Sequence, residues 1–353
     1  MKKIIIYSNL FLWLLSACDS PAHKQELTAD LSYEPAYAQF FRIDYYKGYK
    51  RIQIVHPWGN ESLNMDYYIK TNDLSKVSTS GEHSFIIESK PQTIIALSSP
   101  MVGLMHLLEL DPYIKGVTDP SLIYNRDIRM RIHMGEIIDV GKSIPINMEK
   151  MMMLQPDLVV GSGWDQLGED YKKMIQLNMN PVLMFDWQEL HPLGKAEWMI
   201  ALAAFFNEEE KAKQIFKGIQ KRYTELKEGL DSEEQDLIFN GSEYQGLWYS
   251  AGGQSYMSQL DVDAQANYLM KEDSSNGSIM LDFEVVMDRA AHADIWMYTG
   301  SMAPDRLDLF HSPKYQSLDA IKNNRVFSYH KRMDENGAND YWETASFRPD
   351  IVL

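Results

Sequence analysis

The stretch from His191 to Leu230 is the one long segment without a strand signal, and it separates two halves in which short strands and helices alternate. Within it Trp198, Met199, Leu202, Phe205 and Phe206 recur at three- and four-residue steps, as do Ala212, Ile215, Phe216, Ile219, Tyr223 and Leu226. That spacing is the mark of amphipathic helices. Asn207 is placed to cap the second helix, Glu208 to Glu210 suit its first turn, and Gly229 can end it. A helix from Glu208 to Glu228 is about 30 Å long at ~1.5 Å per residue, the width of a small domain.

The chain has 353 residues, room for two ordinary domains. Its 45% hydrophobic and 24% charged residues are those of a soluble globular protein. A formal net charge of −16 argues against nucleic-acid binding, which needs Lys and Arg in excess. The 20 Tyr and 8 Trp serve ordinary cores, and they also suit ligand clefts, being rings with a polar tip. The 21 Met are expected as core fill.

A single cysteine excludes an internal disulfide. It ends a segment with Lys2 and Lys3, an apolar run from Ile4 to Leu15, and Leu15-Ser16-Ala17-Cys18. That is a secretory signal with a small-residue cleavage site, too short for a transmembrane helix. The Leu-Ser-Ala-Cys ending is similar to a bacterial lipobox, which makes Cys18 the expected lipidation site. By resemblance to lipoprotein sorting rules, Asp19 favours the periplasmic face of the inner membrane.

Residues 19–90 are expected to be a tether followed by a small antiparallel unit. Tyr45 to Val55 alternates as one strand and Asp66 to Lys70 as a second, with Pro57, Gly59 and Asn60 in the turn. From Pro91 to residue 192, strands at Thr93–Leu97, Ile114–Val117, Asp157–Val160 and Pro181–Phe185 alternate with helices at 101–109, 147–154 and 167–177. After the helical stretch at 193–230, the pattern resumes over 231–353. Strands are expected at 237–240, 247–249, 295–298 and 326–329, and helices at 255–260 and 283–291. This predicts an α/β protein of two lobes with mostly parallel sheets joined by a long helical backbone.

The two halves share a pattern. Asn147-Met148-Glu149 opens a helix followed by Pro156-Asp157-Leu158-Val159-Val160, and Leu281-Asp282-Phe283-Glu284 opens one followed by Ala293-Asp294-Ile295-Trp296. With Ile95-Ala96-Leu97-Ser98-Ser99, His191-Pro192-Leu193-Gly194-Lys195-Ala196-Glu197-Trp198, Leu247-Trp248-Tyr249, Gly252-Gly253-Gln254-Ser255-Tyr256, Asn339-Asp340-Tyr341-Trp342 and Arg348-Pro349-Asp350, the chain resembles, over residues 36–353, the class III periplasmic substrate-binding lipoproteins. These serve type II ABC importers of iron-siderophores, haem and cobalamin. The resemblance implies two lobes on a rigid helical backbone. It also implies a metal-chelate or tetrapyrrole-like ligand, a permease dimer of the inner membrane as partner, and no resident cofactor. Glu149 and Glu284 would then each dock onto arginines of the permease, a pairing suited to bidentate recognition. The family usually continues past Arg348-Pro349-Asp350 into a further helix, so either the sequence is truncated at Leu353 or lobe two lacks a helix on one face, and an extended chain is expected to be more stable.

Ligand contacts are expected at the carboxyl ends of the strands: Ser98, Ser99, Met101, Trp164 and Trp187 in lobe one, and Tyr244, Trp248, Tyr249, Tyr256 and Trp342 in lobe two. Gly161-Ser162-Gly163 lacks the third glycine of a nucleotide loop. Arg126, Arg129 and Arg131, and later Arg325, Lys331 and Arg332, read as solvated faces. No His-Glu-x-x-His, Gly-x-Ser-x-Gly or second cysteine is present, and Asp261-x-Asp263 and Asp334-Glu335 read as surface carboxylates, so no enzyme is expected. The alternatives are a divalent-metal-binding transport protein and a lipid-anchored hydrolase.

Overall fold

A computed structural model describes residues 29–72, 77, 79, 83–143, 145–230 and 235–353. Cys18 and the signal segment lie outside the described residues. The chain begins with a five-stranded sheet: β1 (Leu31–Tyr33), β2 (Phe41–Tyr46), β3 (Tyr49–Ile54), β4 (Met65–Lys70) and β5 (Ser84–Ile87), ordered as in sequence. Only β4 and β5 run parallel. The alternating run expected as one strand from Tyr45 is broken at Lys47-Gly48, where Gly48 takes φ 94° and Tyr46 pairs with Tyr49 across a two-residue turn.

Lobe one is an all-parallel sheet of β6 (Ile94–Ala96), β7 (Ile114–Val117), β8 (Ile138–Asp139), β9 (Leu158–Ser162) and β10 (Pro181–Met184), in the order β10-β9-β6-β7-β8. Its helices are α1 (Ser99–Leu107), α2 (Arg126–His133), α3 (Met148–Leu154) and α4 (Glu169–Gln176). Strand alternation divides the sheet's two faces. Ile94 and Ala96 enter a core shared with the first sheet, whereas Ile95 and Leu97 join Val159, Met151 and Met174 on the other face.

The strandless stretch forms α5 (Pro192–Ala204) and α6 (Glu209–Gly229). Asn207 does not cap α6. It takes φ 58°, a left-handed bend between the helices, and Glu208 occupies the cap position without a side-chain bond to the helix backbone. All 13 residues of α5 are buried, so its polar side chains must find partners inside. The Glu197 carboxylate accepts the Tyr33 hydroxyl (2.7 Å) and the N–H groups of Ala36, Tyr37 and Ala38 (2.9, 2.8 and 2.9 Å). Lys195 pairs with Asp186 and lies over the rings of Tyr256 and Phe347.

Lobe two carries β11 (Leu237–Tyr244), β12 (Leu247–Ala251), α7 (Tyr256–Asp263), β13 (Asn267–Tyr268), β14 (Ser278–Asp282), α8 (Phe283–Arg289), β15 (Ile295–Tyr298), α9 (Asp319–Lys322) and β16 (Val326–Ser328). Its sheet is mixed, with three of its five pairings parallel: the order is β14-β12-β11-β15-β16, with β12 antiparallel to both neighbours and β13 beside β11. A separate core of Phe239, Trp248, Tyr268 and Trp296 holds it.

α6 reaches both lobes. Near its start Glu209 takes a buried ion pair from Lys50 (2.7 Å) and Lys211 pairs with Glu109; near its end Tyr223 donates to Asp263 (2.6 Å) and Lys227 pairs with it (2.8 Å). The tail of the chain, read from sequence as part of lobe two, returns to lobe one. There α10 (Asp340–Glu343) packs on α1 so closely that a Cβ on Gly103 would meet the Glu343 carbonyl at 1.8 Å, and Phe347 enters the first core. The basic clusters are not simply solvated, since Arg129 pairs with Asp334, Arg332 with Asp340 and Arg325 with Asp236. Glu197→Ala would leave three backbone N–H groups and a hydroxyl without their acceptor. It is expected to lower the unfolding free energy by about 3 kcal/mol in urea denaturation; a loss under about 1 kcal/mol would contradict this account of α5.

Candidate functional site

The carboxyl ends of β9 and β10 raise Gly163-Trp164 and Asp186-Trp187 on lobe one, opposite β11, β12 and α7 of lobe two. Between them lies a cavity of about 230 Å³. Trp187 is its lobe-one wall; Tyr249, Tyr256 and Trp342 face it, with Asn240, Ser250 and Asn276 among the polar lining, and no Lys, Arg, Asp or Glu side chain lines it. A second hollow of about 600 Å³ opens over the carboxyl ends of β11 and β15; it shares Tyr249 and Thr299 with the first, and Tyr244 stands on its rim. The Trp187 indole is oriented by donating to the Gly163 carbonyl (3.0 Å), and Asn276 bridges the lobes by donating to the Gln188 carbonyl (3.2 Å).

The floor is a polar network. The Asn240 amide oxygen accepts from Ser250 (2.8 Å), the Ala251 N–H and the Tyr268 hydroxyl (both 3.0 Å), and its amide nitrogen faces Asp261 at 3.4 Å. Asp261 and Asp263 are not loop carboxylates. They lie on α7 and diverge, Asp261 toward the floor and Asp263 toward α6. Beneath Trp187, Glu189 accepts from the Trp198 indole (2.8 Å) and the N–H of Gln39 (2.9 Å).

The expected contact residues divide. Trp187, Tyr249, Tyr256 and Trp342 come together on one cavity. Trp164 is 55% exposed beside Trp187, and Tyr244 is placed on the neighbouring hollow. Ser98 caps α1 by position only, its buried hydroxyl without a partner among the described residues, and Ser99 begins that helix. Met101 and Trp248 are corrections. Met101 points into the first core, and Trp248 is fully buried between Phe239 and Trp296, its indole held by the Asn240 carbonyl (3.0 Å). On an inward-facing strand position, apolar burial outweighed the pattern that put Trp248 beside Tyr249. Asn240, Asn276 and Trp58 were not anticipated. For Asn240 the signal was present, since it lies on a strand expected to end there.

Glu149 and Glu284 are exposed, and each is the second residue of its helix, α3 or α8, behind a capping Asn147 or Asp282. Among the described residues no helix is long and apolar enough to cross a membrane, and no group of three or more His, Cys, Asp or Glu could hold a metal ion.

Residues 94–333, from β6 to just beyond β16, match the sequence profile described as periplasmic binding protein. The chain belongs to the periplasmic binding protein family. Its family and fold are those of substrate-binding proteins. An uncharacterized lipoprotein of Methanocaldococcus jannaschii is 26% identical over 281 residues, 77% of this chain and 66% of its own length. A second from the same organism is 27% identical over 206 residues, 56% of this chain and 52% of its own. The chain thus spans less than two thirds of either relative. Similar folds occur in an ABC transporter substrate-binding protein from Listeria monocytogenes (TM-score 0.56, 17% identity, 75% of this chain and 99% of that one) and in the periplasmic haem-binding protein HutB of Vibrio cholerae (0.56, 14%, 74% and 98%). The Desferal-bound siderophore-binding protein FhuD of Vibrio cholerae is a further likeness (0.54, 15%, 73% and 94%).

Two carboxyls near the cleft give it a pH dependence. Burial pushes Glu189 up to about 7 against the pull of its N–H donors, and burial pushes Asp261 up to about 7 against the Asn240 amide. Below about pH 4 folded and unfolded chains both hold these protons; between about 4 and 7 only the unfolded chain has released them, so stability falls across that window. Asp261→Asn should make the decline between pH 4.5 and 7 shallower in urea denaturation; an unchanged slope would remove Asp261 as a source.

Proposed function

We propose that this protein is the substrate-binding component of an ABC importer, capturing an iron chelate, haem or a cobalamin-like ligand between its lobes and handing it to a membrane permease. The observation that carries this reading is the cavity itself. It is bounded by Trp187 of lobe one and Trp342 of the returning tail and by Tyr249 and Tyr256 of lobe two, without a charged side chain in its lining. Such a wall favours a ligand with apolar or conjugated surface over a small charged one. The family, and folds shared with haem- and siderophore-binding proteins, support the same role. Lipidation at Cys18 would hold the protein at the periplasmic face of the membrane.

Glu149 and Glu284 are the proposed contacts to the permease, one exposed carboxylate on each lobe, each at a helix start where a negative charge is stabilised. Their pairing with arginines would set the docking orientation. Two experiments test this reading. Thermal unfolding of the mature protein with hemin, cyanocobalamin and ferric chelates should show a rise in midpoint for one class, growing with concentration as ligand binding to the folded state requires; a flat response to the whole panel sinks the reading. The double charge reversal Glu149→Arg, Glu284→Arg should abolish ligand uptake by the cognate permease while ligand affinity in solution is unchanged. A fall in affinity would show instead that these glutamates serve the cleft.

A further inference from the structure

Beside Glu149, away from the cleft, lies a hollow of about 470 Å³ between the start of α3 and the first turns of α4. Pro145, Ile146 and Met148 are its apolar lining, and Glu149, Asp170 and Lys173 bring charge to it. Both walls are fixed. The two helices share the small core that holds Met148, Met151 and Met174. The loop into α3 is tied by the bridge between Gly141 and Ile146 and by Asp119, which accepts the Ser143 N–H and hydroxyl (both 2.9 Å).

The charges in this hollow are left open. On α4, Glu169 and Lys172 close an ion pair at 2.7 Å. Asp170 and Lys173 have the same spacing, which makes them neighbours on a helix surface. Neither forms an ion pair or a side-chain hydrogen bond among the described residues, and nor does Glu149. Lys150, the nearest cation in sequence to Glu149, donates instead to the Asp139 carbonyl (2.6 Å). One turn beyond Glu149 on α3, Met153 is 84% exposed. Unpaired charges of both signs in a rigid hollow, with apolar surface beside them, are complementary to a protein segment rather than to a single small ion.

We propose that this hollow is the lobe-one seat for a projecting loop of the permease, with a basic side chain of the loop facing Glu149 and Asp170 and an acidic one facing Lys173. The inference rests on the permease-docking role proposed above for Glu149 and adds two residues to it. A cation that meets two carboxylates gains from both. The Lys173 contact sets the direction in which the loop lies, since the reverse direction would bring like charges together.

The test measures docking of the mature, ligand-free protein to the cognate permease in lipid nanodiscs, with urea unfolding curves to establish that each variant folds. Asp170→Lys should weaken docking about tenfold, and Lys173→Glu about threefold even though it adds negative charge. Glu169→Lys is the same charge change one residue away, on a side chain 88% exposed and outside the hollow. It should dock within about twofold of the wild type, as an isolated surface charge does. Equal losses in Asp170→Lys and Glu169→Lys overturn the seat, because they report only the general field. Undiminished docking of Asp170→Lys where Glu149→Arg fails overturns it too, as does tighter docking of Lys173→Glu; each leaves the role of Glu149 standing. Self-association in sedimentation that Asp170→Lys abolishes, with permease docking untouched, assigns the hollow to a second copy of this chain and overturns the seat. Undiminished docking of the Glu149→Arg, Glu284→Arg protein overturns both the seat and the docking role.

Discussion

A helix buried on every side imposes one requirement on its surroundings: each polar group it carries must be met by protein. α5 meets that requirement three ways, and each tie fastens a different part of the molecule. Glu197 gathers the turn at Ala36–Ala38 and so seats the N-terminal sheet. Its neighbour Trp198 donates to Glu189, which holds Gln39 and lies just beyond Trp187. For Lys195, burial disfavours the charge, but Asp186 together with Tyr256 and Glu189 outweighs that and holds the amine above its ordinary pKa, with Tyr256 and Phe347 on its flanks. The residues that shape the cleft floor are thus fixed by the same helix that closes the core. A buried ion pair of this kind contributes little to net stability, whereas removing one partner leaves an uncompensated charge.

The helix pair was legible in the sequence because two runs of apolar residues keep the helical period, and the parallel strands of lobe one because short apolar segments alternate with helices. What periodicity does not carry is which side of an element meets which neighbour. Lys195 and Glu197 make α5 look like a surface helix, although both are inside. Trp248 and Tyr249 are adjacent and aromatic, yet opposite strand faces send one to the core and the other to the cavity. Trp58 sits between Pro57 and Gly59, so the turn signal hides it, and only the tertiary fold brings it to Trp187. The two antiparallel pairings of lobe two, β11 with β12 and β12 with β14, were not legible, because the apolar pattern of a strand does not declare its direction.

Contacts across the cleft come from unrelated parts of the chain. Asn276 reaches Gln188 and Arg129 pairs with Asp334, while on lobe one the returning Glu343 accepts the N–H groups of Tyr124 and Asn125 at 2.6 and 2.8 Å. With α6 bonded at one end to Lys50 and at the other to Asp263, the lobes are braced on more than one side. Relative motion compatible with such bracing is a small tilt rather than a wide opening, since larger displacement would break these contacts together.

The return of the tail to lobe one has a consequence for how the protein is made. Lobe two, with its own core, is in effect an insertion: the chain leaves the lobe-one body after α6 and re-enters it at α10. The first core receives Phe347 only after the whole of lobe two has been synthesised. Lobe two can consolidate as a continuous segment, while lobe one must wait with an open seam along α1 and α5. Contacts that span so much sequence form late and slowly, and until they form that unsealed seam is the surface most in need of protection from aggregation.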